Sequence, residues 1–159
     1  MNVAPDHTRL TSERLAVVGD GRMGRALVSA LPAAHGPFGR GFDGAGFDAV
    51  LLAVPDGQIA VAASAITNGP LVGHCAGALG LDVLAPHEAF GLHPLMTVTH
   101  EGATFAGPGA AAAGTTARAR QLARRLDRSP RRSSLSFHPS SFSLHPDVAR
   151  PCSRDLALR

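Results

Sequence analysis

A six-residue glycine motif, set between a short apolar run and a helix-forming segment, limits the fold more than any other feature of the chain. Residues 15–18 (Leu-Ala-Val-Val) form an unbroken apolar run, the pattern of a parallel strand buried on both faces. Gly19, Asp20, Gly21, Arg22, Met23 and Gly24 follow with the spacing G-x-G-x-x-G. Residues 22–31 are mostly good helix formers, and Pro32 stops them. In that setting each glycine has a separate task. Gly19 permits the tight turn out of the strand, Gly21 lets the backbone approach a pyrophosphate, and Gly24 lets the helix pack closely on the strand. The free N–H groups at the helix start then face the anion, helped by the helix dipole. A lone G-x-G-x-x-G says little; here a strand precedes it and an uninterrupted helix follows. The competing reading is a glycine-rich turn that binds nothing.

The rest of the chain repeats the alternation. Residues 48–54 (Asp-Ala-Val-Leu-Leu-Ala-Val) are the strongest strand signal, closed by Pro55 and Asp56, and residues 58–66 read as helix. After the turn at Gly69 and Pro70, residues 71–75 read as a second buried strand. Residues 35–40 are a weak strand, interrupted by two Gly and one Pro. A short helix is expected over 79–84, late strands over 90–95 and 103–107, and a helix over 115–126 capped by Thr115 or Thr116. Strands alternating with helices throughout predict an α/β domain: a mostly parallel sheet with helices on both faces.

Three further groups of residues fall at predicted carboxyl ends of strands, where ligands bind in open α/β sheets. An NAD-binding version of the motif places an acid about 20 residues past the glycines. No acid stands at the end of the second strand, residues 35–40, where it would be needed; Arg40, between Gly39 and Gly41, occupies that end. An arginine suits a ribose 2′-phosphate, which favours NADP, with NAD as the alternative cofactor and a solvated surface arginine as the bland reading. Ala53, Val54 and Pro55 end the strongest strand, where their backbone either lines the ribose–nicotinamide side or makes a plain proline turn. His74 and His93 each lie near the end of a predicted strand. They are candidates for substrate hydrogen bonding or proton transfer, and equally for histidines satisfied by nearby backbone; no carboxylate stands beside either. Cys75 reads as a core residue, not a nucleophile.

Composition excludes several classes. All 15 basic residues are Arg. Residues 1–126 carry nine Arg against nine acidic residues, so the formal charge of +3 arises in residues 127–159. The high pI therefore does not describe a basic globular surface, and no specific nucleic-acid partner is expected. Cys75 and Cys152 offer neither metal spacing nor a disulfide framework. No apolar run reaches the length of a membrane span, and residues 1–13, a polar lead-in, lack a signal-peptide core; a cytoplasmic protein without membrane attachment is the expectation. Residues 127–159 contain eight Ser, six Arg and four Pro without helical or strand period, which reads as disorder.

Five segments in this order carry a resemblance: 15–27 (LAVVGDGRMGRAL), 50–59 (VLLAVPDGQI), 73–80 (GHCAGALG), 91–97 (GLHPLMT) and 103–106 (ATFA). Together they resemble a bacterial Rossmann-like family of the DUF2520 type. That family is similar to the NADP-binding domains of pyrroline-5-carboxylate reductase, prephenate dehydrogenase and deazaflavin-dependent NADP oxidoreductases. The resemblance spans roughly residues 14–126. It implies an N-terminal NADP-binding domain followed by an all-helical domain that forms a homodimer and completes the pocket for a small substrate. Carried over, Gly19, Gly21, Arg22, Met23 and Gly24 hold the pyrophosphate, Ala53, Val54 and Pro55 line the nicotinamide side, and His74 and His93 face the substrate. Ala76 stands where the family pattern leads one to expect Ser, which removes a hydroxyl from that loop. The pattern stops after Leu126. A shifted reading frame and a native disordered tail both account for the change at Asp127, and on either account the helical domain is expected to be missing. The expected function is hydride transfer between NADP and a small substrate by an oxidoreductase-like protein, with loss of activity as one consequence of truncation; the alternative is a non-catalytic NADP-binding or sensing module.

Overall fold

The computed structural model describes residues 13–94 and 110–128. Six strands form one sheet: β1 (Leu15–Val18), β2 (Ala34–Phe38), β3 (Ala49–Leu52), β4 (Leu71–His74), β5 (Ala89–Pro94) and β6 (Ala110–Gly114). Their order is β2-β1-β3-β4-β5-β6, parallel from β2 to β5 with β6 antiparallel at the edge. Three α-helices accompany them: α1 (Arg22–Ala30), α2 (Ile59–Ser64) and α3 (Ala117–Arg128). This is the expected Rossmann-like α/β architecture.

β1 and β3 are buried at every residue, as uninterrupted apolar runs in the middle of a parallel sheet should be; β4 is buried throughout as well, although it ends in the polar His74. Strand alternation divides their side chains between two cores. Leu15, Val17, Leu51, Leu71 and Phe90 face α1 and α3; Ala16, Val18, Val50, Leu52 and Val72 face α2 and a 3-10 turn at Leu81–Leu84. Helices therefore cover both faces. α3 buries Ala119, Leu122 and Ala123, with Leu126 packed beside them, so an Arg-rich segment docks along one apolar stripe. Thr116, rather than Thr115, is its cap: the Thr116 hydroxyl accepts from the Ala119 N–H at 3.1 Å. Thr115 instead exchanges hydrogen bonds with the Ala89 backbone. α3 continues through Asp127 and Arg128, two residues past the change in composition, and the Asp127 carboxylate accepts the Ala110 N–H at 2.8 Å.

Alternation of strand and helix is not complete. Residues 39–48 join β2 to β3 without a helix. Gly41, Gly44 and Gly46 take positive φ there, which a helix cannot continue. Phe38, Phe42 and Phe47 cover that part of the sheet instead. Phe38 stacks on Phe42 with ring centroids 4.1 Å apart, and Phe47 meets both edge-on, with the Arg14 guanidinium 4.8 Å above its ring. The helix expected over 79–84 is shortened to the 3-10 turn, and that expected over 58–66 is a 3-10 turn at Asp56–Gln58 leading into α2. β6 lies where no strand was expected. The strand expected over 103–107 and the tail after 128 lie outside the described residues.

Candidate functional site

Pairing register fixes what lies together at the carboxyl edge. Val18, Leu52, His74 and Gly91 are successive partners across β1, β3, β4 and β5. Gly19, Ala53 and Cys75 therefore leave the sheet at one level. The order reverses between β1 and β3, with β2 on one side of β1 and the rest of the sheet on the other. Ligands of open α/β sheets bind in the crevice at such a reversal.

The glycine loop sits in that crevice. The Gly19 N–H donates to the Phe38 carbonyl at 2.9 Å, and the Ala53 N–H to the Val18 carbonyl at 2.8 Å. Gly19 has φ +117°, and a Cβ there would lie 2.4 Å from the Ala53 carbonyl oxygen; no other residue fits. A Cβ on Gly24 would lie 1.8 Å from the Gly19 carbonyl oxygen, so α1 leans directly on the turn. A Cβ on Gly21 would meet nothing within 4 Å. The turn and the close packing thus fall on the first and third glycines, the positions the sequence assigned to them, and the second has open space beside it. Gly21 is the cap residue of α1 and no side chain caps the helix, so its first-turn N–H groups are left for solvent or an anion.

The charged residues around the loop divide into paired and free. Asp20 and Arg25 form a two-point ion pair, with Nε to Oδ1 at 2.7 Å and Nη2 to Oδ2 at 3.1 Å, both side chains mostly exposed. The hydrogen bond from Arg25, aided by its charge, holds the Asp20 carboxyl below the usual carboxylate range and raises Arg25. Arg22 and Arg40 are exposed, without a hydrogen bond or ion pair among the described residues. Arg40 lies two residues past the end of β2, beside β1 and on the glycine-loop side of the sheet. Met23, half-buried, packs with the core under α1. Ala53 and Val54 are half-buried and Pro55 exposed, leaving that strand end open at the crevice.

The other half of the edge is closed on itself. His74 is 2% exposed, and its Nε2–H donates to the Gly80 carbonyl at 3.2 Å. Its Nδ1 is buried and has no hydrogen-bond partner among the described residues. The His93 Nδ1–H donates to the Cys75 carbonyl at 2.9 Å, and its ring fills the space a Gly77 side chain would need, 2.7 Å from that Cβ position. The two histidines tie down both ends of residues 75–80. Ala76 packs into the core on the α2 face. Cys75 is half-buried against the core beneath α1 and α3, and desolvation there pushes its thiol up to about 12, which leaves little thiolate at neutral pH. Sequence reasoning did not find the Asp20–Arg25 pair, which depends on side-chain direction; of its two readings for His74 and His93, the structure shows the one in which nearby backbone satisfies them. Among the described residues no group of three His, Cys, Asp or Glu side chains is arranged to hold a metal. No helix there is long and apolar enough to cross a membrane.

Compared with known families and characterised proteins, the sequence matches none. Its fold has a solved relative. The chain is similar to a Bacteroides fragilis protein named as a putative NADP oxidoreductase, with TM-score 0.58 and 12% identity over 73% of this chain. It spans 57% of that protein's length. At this identity the likeness establishes the Rossmann-like fold alone.

Proposed function

We propose that the chain binds NADP along the crevice between β1 and β3 and belongs to an oxidoreductase-like protein. The observation that carries this is the glycine loop. Gly19 and Gly24 are locked in place by contacts that no side chain permits, and beside them Gly21 and the uncapped start of α1 face open space. Such a cradle fits a pyrophosphate. Arg22 supplies positive charge at its rim. Arg40, unpaired among the described residues and placed past β2, suits the 2′-phosphate that separates NADP from NAD. Ala53, Val54 and Pro55 suit the nicotinamide side. When bound, the cofactor supplies hydride to or from a small substrate; the chain orients it. The likeness to the DUF2520-type family, and a homodimer built through a helical domain, belong to the same reading. Calorimetric titration of NADPH and NADH tests it: NADPH binding more tightly than NADH is the expected result, and binding of neither removes it.

A second reading has its own support. His74 and His93 both engage backbone carbonyls, and Cys75 is a neutral thiol. Neither histidine is left as an obvious acid or base, which favours a non-catalytic NADP-binding module for this stretch of chain. Screening NADPH oxidation with carbonyl and imine substrates separates the two: turnover supports the enzyme, and binding without turnover supports the module.

A further inference from the structure

An acid in the middle of a phosphate-binding loop is a liability. Asp20 lies between Gly19, whose backbone turns against β3, and Gly21, the cap residue of α1. Its backbone therefore adjoins the first turn of the helix, and its charge lies within a few residues of any anion held there. The side chain is ionised at neutral pH, as an ordinary aspartate already is, and a bare carboxylate there would repel the phosphates that the helix end attracts. Arg25 is the fourth helical residue after Gly21, and its guanidinium reaches back past the helix end to grip both carboxylate oxygens at 2.7 and 3.1 Å.

We infer that Arg25 is a charge-neutralising, positioning residue of the cofactor loop, which lets Asp20 occupy the glycine motif without opposing a dinucleotide's phosphates. This rests on the NADP reading. A competing role is exchange, in which Arg25 leaves Asp20 and grips a phosphate itself. Two features favour neutralisation. The pair is bidentate, the geometry in which a guanidinium holds a carboxylate best. Arg22, at the first position of α1, is exposed and unpaired among the described residues, so positive charge for the anion is present without moving Arg25.

The test is NADPH affinity by calorimetry on the whole chain, for wild type, Arg25→Gln, Asp20→Asn and the double variant, at low salt and near 1 M. Arg25→Gln should weaken binding about three- to tenfold at low salt, the range expected for one exposed charge near the phosphates. The double variant should return to within about twofold of wild type, because removing the carboxylate removes the need for its partner. Arg25→Lys, which keeps the charge, should rescue most of the loss. Near 1 M salt, where the screening length is about 3 Å, the gap between Arg25→Gln and wild type should close. A merely structural role would show none of this salt dependence. Unchanged affinity in Arg25→Gln overturns the inference while leaving the cofactor reading intact. A loss that Asp20→Asn does not repair also overturns it, and assigns Arg25 to the phosphate directly. Wild type that binds no NADPH overturns both readings. Thermal unfolding of each variant shows that the fold is retained, since an ion pair this exposed contributes little to stability.

Discussion

The two halves of the sheet's carboxyl edge treat their polar groups in opposite ways. On the β1/β3 half, the first-turn N–H groups of α1 have no capping side chain, Gly21 faces open space, and Arg22 and Arg40 stand unpaired among the described residues. On the β4/β5 half, His74 and His93 donate to the carbonyls of Gly80 and Cys75, and the thiol of Cys75 is held neutral by burial. Unsatisfied donors at an edge are costly unless a ligand or water takes them up. The first half thus has the makings of a binding surface, while the second uses its polar groups to hold its own loop. Histidines at strand ends can look catalytic in a sequence and still serve as ties.

The contrast can be broken most sharply at Gly24. A Cβ there would overlap the Gly19 carbonyl oxygen at 1.8 Å, so Gly24→Val should cost about 3 kcal/mol or prevent folding, read by chemical denaturation. Gly21→Ala, where the space is open, is the control: stability should stay within about 0.5 kcal/mol while NADPH binding weakens. A stable Gly24→Val would mean that α1 does not lean on the turn as described.

On the tied half, His74→Ala should destabilise by about 2 kcal/mol, from a buried ring lost and the Gly80 carbonyl left without its donor, with NADPH affinity unchanged. A loss of NADPH affinity with stability intact would move His74 into the binding site. Arg40→Ala should leave the melting temperature unchanged, lower NADPH affinity about tenfold, as expected for a charge-assisted contact, and spare NADH. Equal effects on both nucleotides would remove its assignment to the 2′-phosphate. Loss of the half-buried His93 tie in His93→Ala should cost about 1 kcal/mol.

The smallest effect concerns Cys75. With its thiol pushed up to about 12, the native chain should resist alkylation at Cys75 near neutral pH and react once denatured, as peptide mass spectrometry would show. The linkage has a definite sign. A thiol whose folded value is raised favours the folded state below the unfolded value, and that contribution is lost as pH climbs from about 9 toward 12. Rapid native labelling at neutral pH would contradict the burial.

Much of the fold was legible in the sequence where it depended on local rules. Residues 15–18 announced a buried strand because an apolar run of that length ending in glycine suits little else, and the strand expected over 71–75 was legible from Leu71 and Val72 after the Gly69–Pro70 turn. The roles of Gly19 and Gly24 were legible because the spacing places them at the turn and at the helix contact. Residues 110–114, four Ala and a Gly, gave no strand signal. They become β6 by pairing with β5, and only the sheet supplies that partner. The loop after β2 was equally opaque, since Phe38, Phe42 and Phe47 meet only through the fold.

Local rules along the chain set the β1–loop–α1 unit, the mostly parallel sheet and the residues that reach its carboxyl edge. These follow from periodicity and from glycine's missing side chain, which act within a few residues along the chain. Which of those edge residues remain free was decided by tertiary structure alone. Asp20 and Arg25 find each other across the start of α1, and His93 reaches Cys75 from the neighbouring strand. Hydrogen bonding and charge pairing act over a few ångströms in space, and the distances that matter exist only once the sheet has set its register.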